Sequence, residues 1–301
     1  MNPDRDVLRM RTQPKKPTTI SQTLRKKQVF TYVLLVLVGA LMVTPLVVLV
    51  STSLKTFTQI VADPMTLVPR PFSLEAYARV FTEMPFLRYL FNTVFITVLQ
   101  ITGTVFTSLL VAYGFSRFPF KHKEIIFIAF LLGMMVPTQV LTIPIFELYS
   151  NFGWINTFLP FIVPPFFGGG IFNIFLARQF FRGIPKSLYE SAELDGASEF
   201  KIFMKIAIPL SKPVLLTIAI FTFINSWNDL FGPLLYLQDD RLWTIAKGTY
   251  ELYTQTMAGG GQPNWALLSA ANVVVIIPVV FIYFFAQRYF IEGISFTGLK
   301  G

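Results

Sequence analysis

Glu190-Ser-Ala-Glu-Leu-Asp-Gly196-Ala-Ser-Glu-Phe-Lys-Ile-Phe-Met-Lys-Ile206-Ala-Ile208-Pro209 is a polar island between two long apolar runs. Its local chemistry predicts two short helices. Ser187 can cap the first, while Glu190, three residues on, reaches back to the cap's own N–H in a capping box. Gly196 ends that helix, because a residue without Cβ enters the left-handed conformation at little steric cost. Ser198 can cap a second helix running to Lys205 or Ile206, which Pro209 stops by removing a donor and crowding the preceding turn. A helix-turn-helix knuckle results, standing off the medium that buries the flanking runs.

That medium is a membrane. Of 301 residues, 53% are hydrophobic and only 14% charged, with a mean hydropathy of +0.59, where a globular chain carries about 25% charged residues. The 33 Phe suit a lipid-facing and bundle-packing surface, and the absence of cysteine excludes disulfide and zinc-thiolate chemistry. A hydrocarbon core about 30 Å thick requires roughly 20 helical residues. Six runs reach that length, at 29–50, 89–114, 124–147, 155–181, 213–237 and 265–288. Backbone groups cannot go unpaired in lipid, and the runs lack the alternation of barrel strands, so the expected fold is all-α with six transmembrane helices. Val29–Val50 has spanning length and no small-residue cleavage site, which makes it an uncleaved first span rather than a signal peptide. It follows a basic tail at 1–28, expected to be mostly disordered, and the membrane domain 29–292 precedes a short C-terminal tail at 293–301.

Orientation follows from Lys and Arg in the loops. With the N-terminus inside, nineteen of the 25 fall on the cytoplasmic side, and only Lys55, Arg70, Arg79, Arg88, Arg241 and Lys247 fall outside. Both termini and the loop 183–212 are thereby expected in the cytoplasm of a multi-pass cell-membrane protein. The same asymmetry accounts for the net charge of +9 without a nucleic-acid partner, since no basic, aromatic-interleaved patch occurs.

The third run carries Pro137 and Pro144, and the fourth carries Pro160, Pro164-Pro165 and Gly168-Gly169-Gly170. Such breaks survive at membrane depth where protein or trapped water re-satisfies the backbone, so the fourth run either lines a path or is a simple kink. The fifth ends in Asn225-Ser226-Trp227-Asn228-Asp229. Asn225, Asn228 and Asp229 offer paired donors and acceptors for hydroxyls, and Trp227 an aromatic plate for a sugar ring; the alternative is an interfacial anchor beside Pro233. Outside, 51–88 holds an amphipathic helix at 73–84 capped by Ser73, and 238–264 holds Asp239, Asp240, Arg241 and Gly259-Gly260-Gly261. Asn92, just inside the second run, reads as a helix-packing hydrogen bonder.

No Gly-x-x-x-x-Gly-Lys-Ser/Thr loop is present, so the chain does not cradle ATP phosphates in that manner. The sole histidine, His122, lies in a short basic loop, and no cluster has metal or nucleophile spacing. The chain is therefore expected to carry no catalytic residue, metal or cofactor.

Glu190-Ser191-Ala192, three residues, Gly196, nine residues, then Ile206-x-Ile208-Pro209 resembles the Glu-Ala-Ala loop of permease subunits in ABC importers, with Ser for the first Ala and Ile for the usual Leu. Trp227-Asn228-Asp229, Asn92 and the ending Thr297-Gly298-Leu299-Lys300-Gly301 extend the likeness to the second permease of carbohydrate importers such as those for maltose and glycerol phosphate. The resemblance implies a type I importer permease fold forming half of a path for a carbohydrate or polyol. It implies a second permease, two copies of a cytoplasmic ATPase that holds ATP and Mg, and an extracytoplasmic solute-binding protein. The ATPase would be engaged by Glu190, Ser191, Ala192, Asp195, Gly196, Ile206 and Pro209, and by a tail containing Gly298, Lys300 and Gly301. Asn225, Trp227, Asn228 and Asp229 would line the path. The rival reading is an ion-gradient-driven carrier acting without an ATPase, with Asp229 titrating.

Overall fold

A computed structural model describes residues 19–258 and 263–295. The described residues are all helical or connecting turns, in the order α1 (Thr19–Ser53), α2 (Phe57–Ala62), α3 (Glu75–Glu83), α4 (Phe86–Arg117), α5 (Lys123–Gly133), α6 (Thr142–Asn151), α7 (Leu159–Ile162), α8 (Ile171–Arg182), α9 (Lys186–Leu194), α10 (Glu199–Ile202), α11 (Ile208–Leu210), α12 (Lys212–Trp227), α13 (Phe231–Tyr236), α14 (Ile245–Ala258) and α15 (Trp265–Ser295). Four stretches are long and apolar enough to cross a membrane unaided: Lys27–Ser53, Phe86–Arg117, Leu159–Arg182 and Trp265–Phe285. Two bent pairs raise the number to as many as six if each is counted as one span, Lys123–Gly133 with Thr138–Asn151 at 85° and Glu199–Leu210 with Lys212–Trp227 at 76°, the first arm of the latter belonging to the knuckle.

The differences from the expected spans have local causes. α1 begins at Thr19, inside the basic segment expected to be mostly disordered, because an established helix extends at one hydrogen bond per added residue. The third span bends where Pro137 forces Val136 out of the helical region and withdraws its own N–H. In the fifth, helix α12 stops at Trp227, and α13 restarts at Phe231 after a turn in which the Asp229 Oδ1 accepts the Gly232 N–H at 3.0 Å. The fourth is interrupted by a 3₁₀ turn, Pro164–Phe167, and by three glycines with positive φ. Gly169, at φ +65°, has a double reason to be glycine: a Cβ there would lie 2.1 Å from Ser108 Oγ and 2.4 Å from the Thr104 carbonyl oxygen.

α4 is the central pillar, packed against α8, α12 and α14. One of its faces carries buried Asn92, Thr93, Thr97, Thr104, Thr107 and Ser108. Asn92 Nδ2 donates to the Arg241 and Trp243 carbonyls at 2.9 Å each, so it ties α4 to the backbone of the 238–264 loop rather than to another spanning helix. Thr93 accepts the Ile245 N–H at 2.8 Å, Thr97 bonds Ser226 at 2.9 Å, and Thr107 donates to the Pro165 carbonyl at 2.8 Å. Between membrane helices lipid supplies no hydrophobic drive, so close van der Waals packing holds the bundle together and polar contacts of about 0.6 kcal/mol each add to it. α1 leans on α15 and leaves its other faces open, as a helix facing lipid or another subunit does. At the 51–88 end, Ala76 and Val80 of α3 pack with Tyr89, Ile245, Leu252 and Leu267, and Ser73 accepts the Glu75 N–H at 3.2 Å.

Candidate functional site

The knuckle is built by short-range chemistry, though not all of it as expected. α9 is preceded by Pro185, whose fixed φ starts the helix at Lys186 and leaves Ser187 inside it. The Ser187–Glu190 capping box is thus not formed. Gly196, at φ +74°, closes α9 as expected: its N–H reaches the Glu193 carbonyl at 2.9 Å and the Ala197 N–H reaches Ala192 at 2.9 Å, the paired bonds of a Schellman motif. Ser198 caps α10 by accepting the Lys201 N–H at 3.4 Å.

Pro209 does not end the second helix. A π turn, Phe203–Ala207, widens the coil just ahead of Pro209, whose ring in a regular helix would press on the Lys205 carbonyl, and the helix continues to Leu210. The 76° bend comes at Ser211, because Pro213 cannot donate to the carbonyl of Pro209.

The inner face of the knuckle belongs to the core. Tyr189, Ala192, Ile202, Phe203 and Ala207 pack with Leu109, Ala112 and Tyr113 of α4 and Phe181 of α8. Arg117, at the last turn of α4, ties the two knuckle helices together. Its guanidinium pairs with Glu193 of α9 and, at 3.0 Å, with Glu199 of α10, and it lies 5.1 Å above the Tyr189 ring. Tyr113 adds a donated hydrogen bond to Glu199 at 2.7 Å. Burial raises the Tyr189 phenol above its ordinary range against the opposing pull of Arg117, so it stays neutral in the clamp. A second tie joins α8 to α5, where Arg178 meets Glu124 at 2.6 Å and stacks over Phe127 at 4.0 Å.

The outer face is open. Glu190, Ser191, Asp195, Gly196 and Pro209 are exposed, Ile206 is half-buried, and Ala192 is buried toward α4. Two apolar side chains flank the Gly196 turn, Leu194 at 89% exposure and Phe200 at 69%. Sequence reasoning passed over both, although an apolar residue on each side of a capping glycine in a polar island is itself a signal.

A cavity of about 450 Å³ opens beside the middle of α4, where the breaks of the fourth and fifth spans face each other. Gln100, Thr104, Tyr149, Asp229 and Tyr236 line it, together with the Pro164-Pro165 and Gly169-Gly170 backbone. The fourth-span interruption therefore borders a cavity rather than a simple kink. Of the four path residues expected from sequence, Asp229 alone reaches it. Trp227 is 3% exposed, stacks on Phe223 at 5.3 Å and donates its indole N–H to the Val275 carbonyl at 3.2 Å, so it is packing between α12 and α15. Asn225 on α12 and Asn228 just past its end are exposed, the latter donating to the Ile224 carbonyl at 2.8 Å. Tyr149 and Tyr236, 5.4 Å apart, provide the aromatic wall that Trp227 does not.

At the opposite end, Asn156 accepts the Gln238 and Asp239 N–H groups at 3.0 and 2.8 Å and fixes the start of the 238–264 loop. Hydrogen bonds from the exposed Arg241 hold the Asp239 carboxyl well below the usual carboxylate range. Gly259–Gly261 and the tail residues Gly298, Lys300 and Gly301 lie outside the described residues.

A family model described as "Binding-protein-dependent transport system inner membrane component" matches residues 104–295. The chain is 32% identical over 266 residues to the arabinooligosaccharides transport system permease protein AraQ of Halalkalibacterium halodurans, covering 86% of this chain and 91% of that one. It is 29% identical to the sn-glycerol-3-phosphate transport system permease protein UgpE of Yersinia enterocolitica, covering 90% and 96%. Among solved structures, a chain of a bacterial ABC transporter that imports the acidic polysaccharide alginate superposes with a TM-score of 0.77 at 25% identity, covering 88% of this chain and 98% of that one. By its match across the knuckle, the broken spans and the last helix, this chain belongs to the binding-protein-dependent inner-membrane components, the multi-pass permease subunits of ABC transporters.

Proposed function

We propose that this permease forms half of an import path for a carbohydrate or related polyol and is driven through the Glu190–Pro209 knuckle by a cytoplasmic ATPase. The family's members carry no nucleotide themselves, and ATP binds the separate ATPase subunit. In this reading the complex holds a second permease, two ATPase copies and an extracytoplasmic binding protein, with both termini and the knuckle of this chain on the cytoplasmic side. The sugar class draws on the relative named for arabinooligosaccharides.

The observation that carries the reading is the knuckle's division of faces. Its inner side is core and clamped to α4 by Arg117, while its outer side presents Leu194 and Phe200 beside Glu190, Ser191 and Asp195. Exposed apolar side chains among charges suit a docking surface. A partner that grips them moves α4 with them, because the clamp joins the two. ATP-driven closure of the ATPases would pull the knuckle, rock the helices and open the path outward, provided that the knuckle binds the two ATPase states unequally. The tail with Gly298, Lys300 and Gly301 would add a second ATPase contact.

Gly196→Asp tests this. A Cβ at Gly196 would meet no atom within 4 Å, and although φ +74° strains any L side chain, Asp is among the residues that best tolerate the left-handed region. The expected result is normal membrane insertion with loss of substrate-stimulated ATP hydrolysis by the assembled complex. Transport at the normal rate would refute the coupling role.

A further inference from the structure

We infer that the cavity beside α4 is a binding site in this subunit for neutral, polyhydroxylated ligands, and that Asp229 makes it exclude anionic ones. This takes as given the proposed role of the bundle as half of a path. Among the described residues, its lining contains the donors and acceptors of Gln100 and Thr104, the phenols of Tyr149 and Tyr236, and the backbone of the broken fourth span, but no Lys, Arg or His. The one charged group that these residues place on the wall is the Asp229 carboxyl. Its Oδ1 accepts the Gly232 N–H at 3.0 Å, and among the described residues it forms no ion pair.

The absence of a side chain at Gly232 makes room for that carboxyl, since a Cβ at position 232 would lie 2.5 Å from Asp229 Oδ2 and 2.8 Å from the Phe161 ring. The volume is within the range of small-molecule sites, and amides, hydroxyls and phenols against an aromatic wall are what a ring bearing hydroxyls requires. A uronate, sulfate or phosphate ester would meet a fixed carboxylate with no cation to offset it, in a low-dielectric setting that strengthens the repulsion.

The chain has no cysteine, so a single introduced thiol reports without background from its other residues. Gln100→Cys is made in the full chain, within the complex it co-purifies with in lipid, and Thr104→Cys serves as a second reporter. Labelling of this chain's peptide is followed by mass spectrometry with a cationic trimethylammonium-ethyl and an anionic sulfonatoethyl methanethiosulfonate. The expected result is a cation-to-anion rate ratio about tenfold above that of a free thiol, a size common for charged clefts, falling nearly to the free-thiol ratio when Asp229→Asn is added. Arabinotriose should slow labelling, and trigalacturonate should not. An unchanged ratio with Asp229→Asn, equal protection by the two trisaccharides, or no protection by arabinotriose would overturn the inference. Substrate-stimulated ATP hydrolysis of the same complexes reports separately on the permease reading, because the labelling requires no ATP.

Discussion

Arg117→Ala would unfasten the knuckle from the membrane helix that it is proposed to move. The substitution removes the contact to Glu199 at 3.0 Å, the pairing with Glu193 and the position above the Tyr189 ring at 5.1 Å. The arginine side chain is 20% exposed and its glutamate partners 46% and 40%, so solvent screens both pairs. Discounted in that way, each pair is worth about 0.2–1 kcal/mol, and the cation–π contact about 0.5–1 kcal/mol. The buried contacts of Tyr189, Ala192, Ile202 and Phe203 remain, so the fold persists while the knuckle loses about 1–2 kcal/mol of attachment, a roughly 5- to 30-fold increase in local opening. Amide hydrogen exchange in lipid nanodiscs measures it directly. Exchange should accelerate by about that factor across 186–202 and stay unchanged across 96–108 of α4. Arg117→Lys, which keeps the charge but loses the planar fork, should fall between. Unaltered exchange in the knuckle, or a uniform rise over the whole chain, would refute the clamp.

Leu194→Asp with Phe200→Asp should leave thermal stability of the isolated chain unchanged, since both side chains are outward, yet prevent the ATPase from co-purifying in mild detergent. Gly169→Ala should cost about 3 kcal/mol or more through overpacking against Ser108 and Thr104 together with strain at φ +65°, read as a fall in melting temperature of the detergent-solubilised chain. The Asp239–Arg241 pair predicts a pH effect of definite sign. The folded-state pKa of Asp239 is depressed, so its stabilisation is complete above the unfolded value near about 4 and is lost only as pH falls through the lower folded value. Trp243 fluorescence should therefore stay constant from neutral pH down to about pH 4 and change only below it.

What could be read from the sequence was whatever is decided within a few residues. The apolar runs gave the helices, Gly196 the left-handed stop of α9, and Ser198 the cap of α10, because each depends on neighbours along the chain. Two local readings failed where a nearby proline outranked the residue chosen: Pro185 started α9 early enough to place Ser187 inside it, and Pro213, rather than Pro209, interrupted the second helix. Contacts across the chain left no trace in composition or spacing. Arg117 and Glu199 are 82 residues apart, and Tyr149 and Asp229 meet across the cavity only because two spans break at the same level. Trp227 and Asp229 are two residues apart, yet the end of α12 between them turns one toward α15 and the other to the cavity wall.

The most direct test of the proposed drive through the knuckle uses the same lack of cysteine. Leu194→Cys provides a single thiol on this chain at an 89% exposed position beside the Gly196 turn, and a short heterobifunctional cross-linker attached there samples only near neighbours. In native membranes it should join this chain to an ATPase subunit, in a yield that changes when ATP is bound, and the thiol should be reached by impermeant reagents from the cytoplasmic face alone. A thiol labelled from the extracellular face, or a cross-link that never includes an ATPase, would contradict it.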